Sequence, residues 1–200
     1  MRQNRVRALA AAAAAMVTLT PGAAQAVGHH STAGEAVAGA VTGATEVADV
    51  AGVAEVTGAG ARKREINGLL TIVNKARADA GVPPLVWDDS VAGQARYWAG
   101  RRVDDCRLTH SNSRYGENLA KGSSPDFSMS DAARLWVDEK PDYDRASNSC
   151  VNGKECLHYT QVVWRASTRI GAAKTRCDNG WTYVVANFDP PGNWVGRRPY

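Results

Sequence analysis

Long hydrophobic runs are missing from this chain of 200 residues. The apolar run near the N-terminus, from Ala8 to Val17, falls well short of the roughly 20 residues that a membrane-spanning helix needs. Compositional bias is missing too, because 44% of the residues are hydrophobic and 22% are charged, as in ordinary globular domains. The sequence therefore excludes collagen-like, wholly disordered and multi-span membrane proteins.

Aromatic residues are absent before Ile66, and all 14 lie between Ile66 and Tyr200. Residues 27–64 consist mainly of Ala, Gly, Val and Thr and have little to bury, so we expect a flexible linker or pro-region there. The basic triplet 62–64 at its end reads either as a processing site or as a solvated charge cluster. Residues 65–200 are long enough to form one folded domain with its own core.

A lasting excess of positive charge is also missing. Residues 1–26 carry three arginines before the apolar run and end in Ala24-Gln25-Ala26, the pattern of a secretory signal peptide that is cleaved before Val27. Its removal reduces the formal charge of +4 to a balance of 21 basic and 20 acidic residues. The sequence therefore predicts a secreted, extracellular protein with no transmembrane segment and no affinity for nucleic acid.

Cysteine is scarce, and all four cysteines lie in the expected domain: Cys106, Cys150, Cys156 and Cys177. In an exported chain they are expected to form two disulfides, for which three pairings are possible. A free catalytic thiol is not expected.

The periodicity of the domain predicts helices followed by a strand hairpin. Helical spacing is present from Ile66 to Ala80 before a stop at Gly81, from Asp88 or Asp89 to about Val103, and from Ser128 or Ser130 to before Pro141. Residues 85–87 form a short extended piece. Strands are expected over 169–176 and 181–188, joined by the turn Asp178-Asn179-Gly180. This order of elements is typical of an α+β domain.

Three motifs follow one another along the domain: Tyr-Gly-Glu-Asn-Leu-Ala at 115–120, His-Tyr-Thr-Gln-Val-Val-Trp at 158–164 and Val-Ala-Asn-Phe-Asp-Pro-Pro-Gly-Asn-Trp at 185–194. Together they resemble the CAP superfamily, which includes cysteine-rich secretory proteins, insect venom antigen 5 and, most similar, plant pathogenesis-related proteins of the first class. The resemblance implies an α-β-α sandwich around a central, mainly antiparallel sheet. It also implies the disulfides Cys106–Cys177 and Cys150–Cys156. Where plant members carry a third disulfide, this chain has Ala172 and Ala186.

The resemblance places four residues in a central cleft: His110, Glu117, Glu139 and His158. Two imidazoles and two carboxylates suit Zn²⁺ or another divalent cation. The structural alternative is that each imidazole is simply buried against a carboxylate, and that each glutamate forms a salt bridge. A bound cation should dissociate below about pH 6, because imidazoles with a reference pKa near 6.5 become protonated there.

Three functions are compatible with these features. We favour a binding module for a sterol, a fatty acid or an extracellular protein, although the loop 141–156, associated with sterols in similar domains, is polar. A metal-dependent hydrolase would use Glu117 or Glu139 as its base, but the chain contains no His-Glu-x-x-His or Gly-x-Ser-x-Gly motif. Third, residues 190–200 resemble a C-terminal signalling peptide that some plant relatives release, or they simply close the fold.

A separate metal site depends on cleavage of the signal. The new N-terminus Val27-Gly28-His29 would offer an amine, two amides and an imidazole to Cu²⁺ or Ni²⁺, with His30 alongside. A flexible polar terminus explains the two histidines equally well.

Overall fold

A computed structural model describes residues 49–200 of the chain. The α-helices are α1 (Asp49–Asp79), α2 (Asp89–Gly100), α3 (Met129–Val137) and α4 (Leu157–Val162). The strands are β1 (Val86–Trp87), β2 (Gly116–Gly122), β3 (Tyr143–Asp144), β4 (Ser149–Cys150), β5 (Arg169–Arg176) and β6 (Thr182–Asp189). Short 3₁₀ helices lie at Lys140–Asp142 and Val151–Gly153. The predicted signal peptide and the predicted copper site at Val27, Gly28 and His29 lie outside the described residues.

The central sheet has four strands in the order β1-β5-β6-β2. Strand β1 is parallel to β5, whereas the β5–β6 and β6–β2 pairs are antiparallel. Strands β3 and β4 form a separate small hairpin. The predicted α+β class with a central, mainly antiparallel sheet is confirmed.

Helices cover both faces of this sheet. Alternate residues of a strand point to opposite faces, and β6 divides its side chains accordingly. Val184, Ala186 and Phe188 pack with residues of α1 and α3. Tyr183 and Val185 pack with residues of α2 on the opposite face. The molecule is therefore the α-β-α sandwich that the family resemblance implied.

Helix α2 approaches the sheet so closely that its main chain meets β5. A Cβ atom on Gly171 would lie 2.0 Å from the main-chain nitrogen of Ala92. No side chain fits in that space, so glycine at this position sets the distance between the helix and the sheet. The start of α2 is fixed by Asp88, whose carboxylate accepts hydrogen bonds from the N–H groups of Ser90 and Val91.

The core contains one arginine with no exposed surface, Arg77 of α1. Its guanidinium donates to four main-chain carbonyls, at 2.6–2.9 Å: those of Pro83, Val162, Trp164 and Ser167. Burial, with a smaller effect of the nearby Arg165 charge, lowers the pKa of Arg77 from 12.5 to about 10. This one side chain ties the first helix to the turn that follows α4.

The disulfides have the pairing that the resemblance implied. Cys106 is bonded to Cys177 and Cys150 to Cys156, and no cysteine of the chain remains free. Ala172 and Ala186 are direct cross-strand partners of β5 and β6, and both are buried. The site of the third plant disulfide is therefore filled by two small apolar side chains.

Helix α1 begins within the segment predicted as a linker, because residues 49–64 are helical. An Ala-rich sequence has high helix propensity, and Arg62 forms an ion pair with Asp89 at 2.7 Å. The basic triplet 62–64 is helical and exposed. The division of the chain at residue 64 stays a prediction. None of the helices within residues 49–200 is at once long and apolar enough to cross a bilayer.

Candidate functional site: two histidine–carboxylate pairs

Helix α4 connects the first two of the three motifs. The side-chain amide of Asn118 in β2 donates to the main-chain carbonyl of His158 at 3.0 Å. A Cβ atom on Gly116 would lie 2.2 Å from Oε1 of Gln161, so this glycine lets the Gln161 side chain lie against β2. The segments that carry Glu117 and His158 are therefore held against each other by contacts between the motifs.

The third motif packs on the same helix. The N–H group of Gly192 donates to Oε1 of Gln161 at 3.0 Å. Asn193 accepts a hydrogen bond from the Thr160 hydroxyl and donates to the carbonyl of Leu157, both at 2.8 Å. The chain after β6 is therefore bound to α4 by polar contacts, which fits the reading of residues 190–200 as a closing segment.

The first histidine–carboxylate pair consists of His110 and Glu117. Nδ1 of His110 lies 2.8 Å from Oε1 of Glu117, which also accepts the N–H of Ser111 at 2.9 Å. The Ser111 hydroxyl donates to the other oxygen, Oε2, at 2.5 Å. The Glu117 side chain is 6% exposed, whereas His110 is 33% exposed. The serine therefore binds the carboxylate and leaves the imidazole to the solvent-facing side.

The second pair consists of His158 and Glu139. Nδ1 of His158 lies 2.6 Å from Oε1 of Glu139. The other oxygen, Oε2, accepts the N–H groups of His158 and Tyr159 at 3.0 and 3.2 Å. Both side chains are about one-sixth exposed. Glu139, which follows α3, thus grips both the ring and the main chain at the start of α4.

The two pairs share one chemical consequence. An ionised carboxylate only accepts hydrogen bonds, so each neutral imidazole carries its proton on Nδ1 and keeps a lone pair on Nε2. A carboxylate on the far nitrogen is the usual way in which proteins orient a metal-binding histidine. The donor set therefore fits a divalent cation, with His110 and His158 as nitrogen ligands and the two glutamates as orienting groups.

A third carboxylate lies beside the second pair. One ligand atom each from Glu139, Glu155 and His158 lie within 4.8 Å of one another, and all three residues are partly buried. His110 and Glu117 are not part of this group of described residues. The sequence reasoning missed Glu155, and its position directly before Cys156 of the short disulfide was the available signal.

An apolar pocket of about 170 Å³ lies between α4, the β3–β4 hairpin and the C-terminal segment. Its apolar walls include Tyr143, Leu157, Trp164, Trp194, Val195 and Pro199. The disulfide Cys150–Cys156 also lines it, whereas neither histidine of the cleft does. The pocket is therefore distinct from the two histidine–carboxylate pairs.

The family assignment follows from residues 70–188, which match the model of the family described as "CAP: Cysteine-rich secretory protein family". The chain belongs to the CAP family. The matched range contains both histidine–carboxylate pairs and Glu155, so every residue of the candidate site belongs to the CAP domain.

Plant proteins are among the relatives of this CAP domain. Pathogenesis-related leaf protein 4 of Solanum lycopersicum is 53% identical over 131 residues, covering 66% of this chain and 80% of the relative. Pathogenesis-related protein 1A of Nicotiana tabacum is 53% identical over 127 residues, covering 64% and 76%. These identities agree with the plant branch that the motifs indicated.

Solved CAP structures share the fold at low identity. The crystal structure of NaASP2 with Zn²⁺ matches with a TM-score of 0.56 and 20% identity, over 67% of this chain and 83% of that protein. The structure of Na-ASP-1 matches with a TM-score of 0.57 and 21% identity, over 68% and 41%. These likenesses concern the fold of the domain.

Proposed function

We propose that this CAP-domain chain is a secreted binding module whose cleft holds a divalent cation through His110 and His158. The observation that carries the proposal is that a carboxylate on Nδ1 of each imidazole leaves Nε2 available as a ligand. Bound there, a cation would present a Lewis-acidic centre to a ligand or partner. Glu117 and Glu139 would hold the rings in place. NaASP2, with the same fold, was crystallised with Zn²⁺, which supports the choice of Zn²⁺ as the probe.

Calorimetric titration of Zn²⁺ tests this proposal. The full chain carries two more histidines, so His29→Ala and His30→Ala serve as the common background. We expect His110→Ala and His158→Ala each to lower Zn²⁺ affinity by at least tenfold in that background. Affinity that both variants leave unchanged would overturn the proposal, provided that circular dichroism shows both to be folded.

The hydrolase alternative requires a carboxylate that is available to accept a proton from water. Glu117 and Glu139 each already accept three hydrogen bonds from protein donors. This arrangement favours an orienting role over a general base. Peptidase turnover that a chelator abolishes, and that returns when Zn²⁺ is added, would instead support the hydrolase.

The apolar pocket favours a second binding function, for the end of a fatty acyl chain. At about 170 Å³ it is smaller than the roughly 300–1,000 Å³ of pockets that enclose drug-sized ligands. We therefore propose that a fatty acid enters with its terminal part, whereas a whole sterol does not fit.

Binding of labelled fatty acid and sterol distinguishes these ligands. Val195, which lines the pocket, and Val86, which lies on the edge strand β1, are both exposed valines. Val195→Phe should weaken fatty-acid binding, whereas the matched control Val86→Phe should not. Equal effects of the two substitutions, or sterol binding without fatty-acid binding, would refute the pocket assignment.

Release of residues 190–200 as a peptide is the remaining alternative. Besides the contacts of Gly192 and Asn193, the carbonyl of Pro199 accepts the N–H of Arg165 at 2.8 Å, and Tyr200 packs on the core. These contacts support a structural role. Mass spectrometry of the culture supernatant should then find intact C-termini, whereas a free fragment from this segment would favour the signalling peptide.

A further inference from the structure

The group formed by Glu139, Glu155 and His158 has the composition of a cation site in its own right. It combines two carboxylates with one imidazole, and one ligand atom of each lies within 4.8 Å of the other two. It includes neither His110 nor Glu117. All three residues come from a stretch of 20 residues that leads into α4.

The main chain holds both carboxylates in place. Glu139 accepts the N–H groups of His158 and Tyr159, and Glu155 accepts the N–H of Leu157 at 3.0 Å. The disulfide Cys150–Cys156 closes the loop directly after Glu155. The three side chains are thus gathered by contacts with one turn of chain. A Zn²⁺ ion with bonds of about 2.0–2.2 Å would draw them closer by roughly 1 Å.

The charge of the group is not balanced by a basic side chain. Among the described residues, no Lys or Arg forms an ion pair with Glu139 or Glu155, and the only charged partner of Glu139 is the imidazole of His158. Two carboxylates this close repel each other when both are ionised. A divalent cation would remove that repulsion.

We propose that Glu139, Glu155 and His158 form a site for a divalent transition cation, with Glu155 as an added oxygen ligand. The proposal rests on the proposed function only in sharing His158, since it needs no contribution from His110. Mixed nitrogen and oxygen donors suit Zn²⁺ or Mn²⁺, whereas Ca²⁺ and Mg²⁺ prefer oxygen ligands alone.

The test is calorimetric titration of Zn²⁺ into full-length protein in the His29→Ala, His30→Ala background. Glu155→Gln should lower the affinity at least tenfold. The matched control is Asp126→Asn, which removes one exposed negative charge beyond the end of β2 that lies away from Glu117. Equal Zn²⁺ affinity of Glu155→Gln and Asp126→Asn would overturn the proposal.

His110→Ala separates this inference from the proposed function. A loss with His110→Ala and none with Glu155→Gln would leave the two-histidine cleft standing and reject Glu155 as a ligand. The reverse result would support the Glu155 site and reject the role of His110. Ca²⁺ binding as tight as Zn²⁺ binding, and unaffected by His158→Ala, would mean only an acidic patch and would also reject the proposal.

Discussion

Glu139 contacts His158 twice, through the imidazole Nδ1 with one carboxylate oxygen and through the main-chain N–H with the other, at 2.6 and 3.0 Å. The two residues lie 19 positions apart in the chain. One side chain therefore fixes both the orientation of the ring and the start of the helix that carries it. Changes at Glu139 should act on both.

Glu139→Gln should weaken Zn²⁺ binding by about 10–100-fold, because an orienting carboxylate is lost. Calorimetric titration in the His29→Ala, His30→Ala background measures this effect. The matched control is Glu65→Gln, since Glu65 also accepts a main-chain N–H, that of Met129, but belongs to α1. If both variants lowered the affinity equally, the effect would be one of general charge rather than of ring orientation.

Arg77→Leu should cost about 3 kcal/mol or more of the free energy of unfolding, because four buried carbonyls lose their donor. Arg77→Lys should cost less, since an ammonium has three donors and can satisfy some of them. Urea denaturation measures both. Arg165→Lys is the control, because that exposed arginine gives one hydrogen bond, to the carbonyl of Gly81. A loss under about 1 kcal/mol for Arg77→Leu would contradict the role given to Arg77.

Gly171→Ala should destabilise the domain by about 1–3 kcal/mol or more, because the added methyl group meets the main chain of α2. At Gly100, at the end of the same helix, an added Cβ atom would have no neighbouring atom within 4 Å. Gly100→Ala should therefore be neutral or slightly stabilising. Thermal unfolding of the two variants gives the comparison, and similar melting temperatures would show that α2 can move away from the sheet at little cost.

The start of α3 should respond to acid. The Ser128 hydroxyl and then its main-chain N–H donate to Asp131 and lower the pKa of that carboxyl below its ordinary value of 3.8. A lowered pKa means that the stabilisation is present above the ordinary value and disappears as the pH falls through the folded-state value.

Asp131→Asn should therefore cost under about 1 kcal/mol at neutral pH, since the side chain is substantially exposed and its charge is screened. The difference from the parent protein should vanish by about pH 2. Denaturant unfolding across this range measures the effect, with Asp126→Asn as a control of equal charge. A difference that is constant with pH would show that the ionised carboxylate is not what stabilises the helix.

The secondary structure that local patterns specify was predictable. Strands β5 and β6 and the turn between them follow the predicted ranges closely, and α2 and α3 begin after the predicted capping residues Asp88 and Ser128. Their signals are periodicity and capping chemistry, which a few consecutive residues contain. The disulfide pairing needed the family resemblance, since the residues alone left three possibilities.

Other elements depend on contacts that the sequence does not express locally. Strand β2 reads Gly-Glu-Asn-Leu-Ala-Lys-Gly, without a β-branched or aromatic residue, and is a strand because it pairs with β6 over its whole length. Strand propensity is readily overridden by such pairing. Arg77 and Glu155 were missed for the same reason, because their partners or neighbours in the fold give these residues their roles.

The central claim is that His110 and His158 present Nε2 lone pairs to a divalent cation, and long-range ¹H–¹⁵N NMR of the imidazoles tests it most directly. The account predicts that both rings carry their proton on Nδ1 at neutral pH. It also predicts that Zn²⁺ shifts both Nε2 resonances in the His29→Ala, His30→Ala background. Rings protonated on Nε2, or Nε2 resonances that Zn²⁺ leaves unchanged, would contradict it.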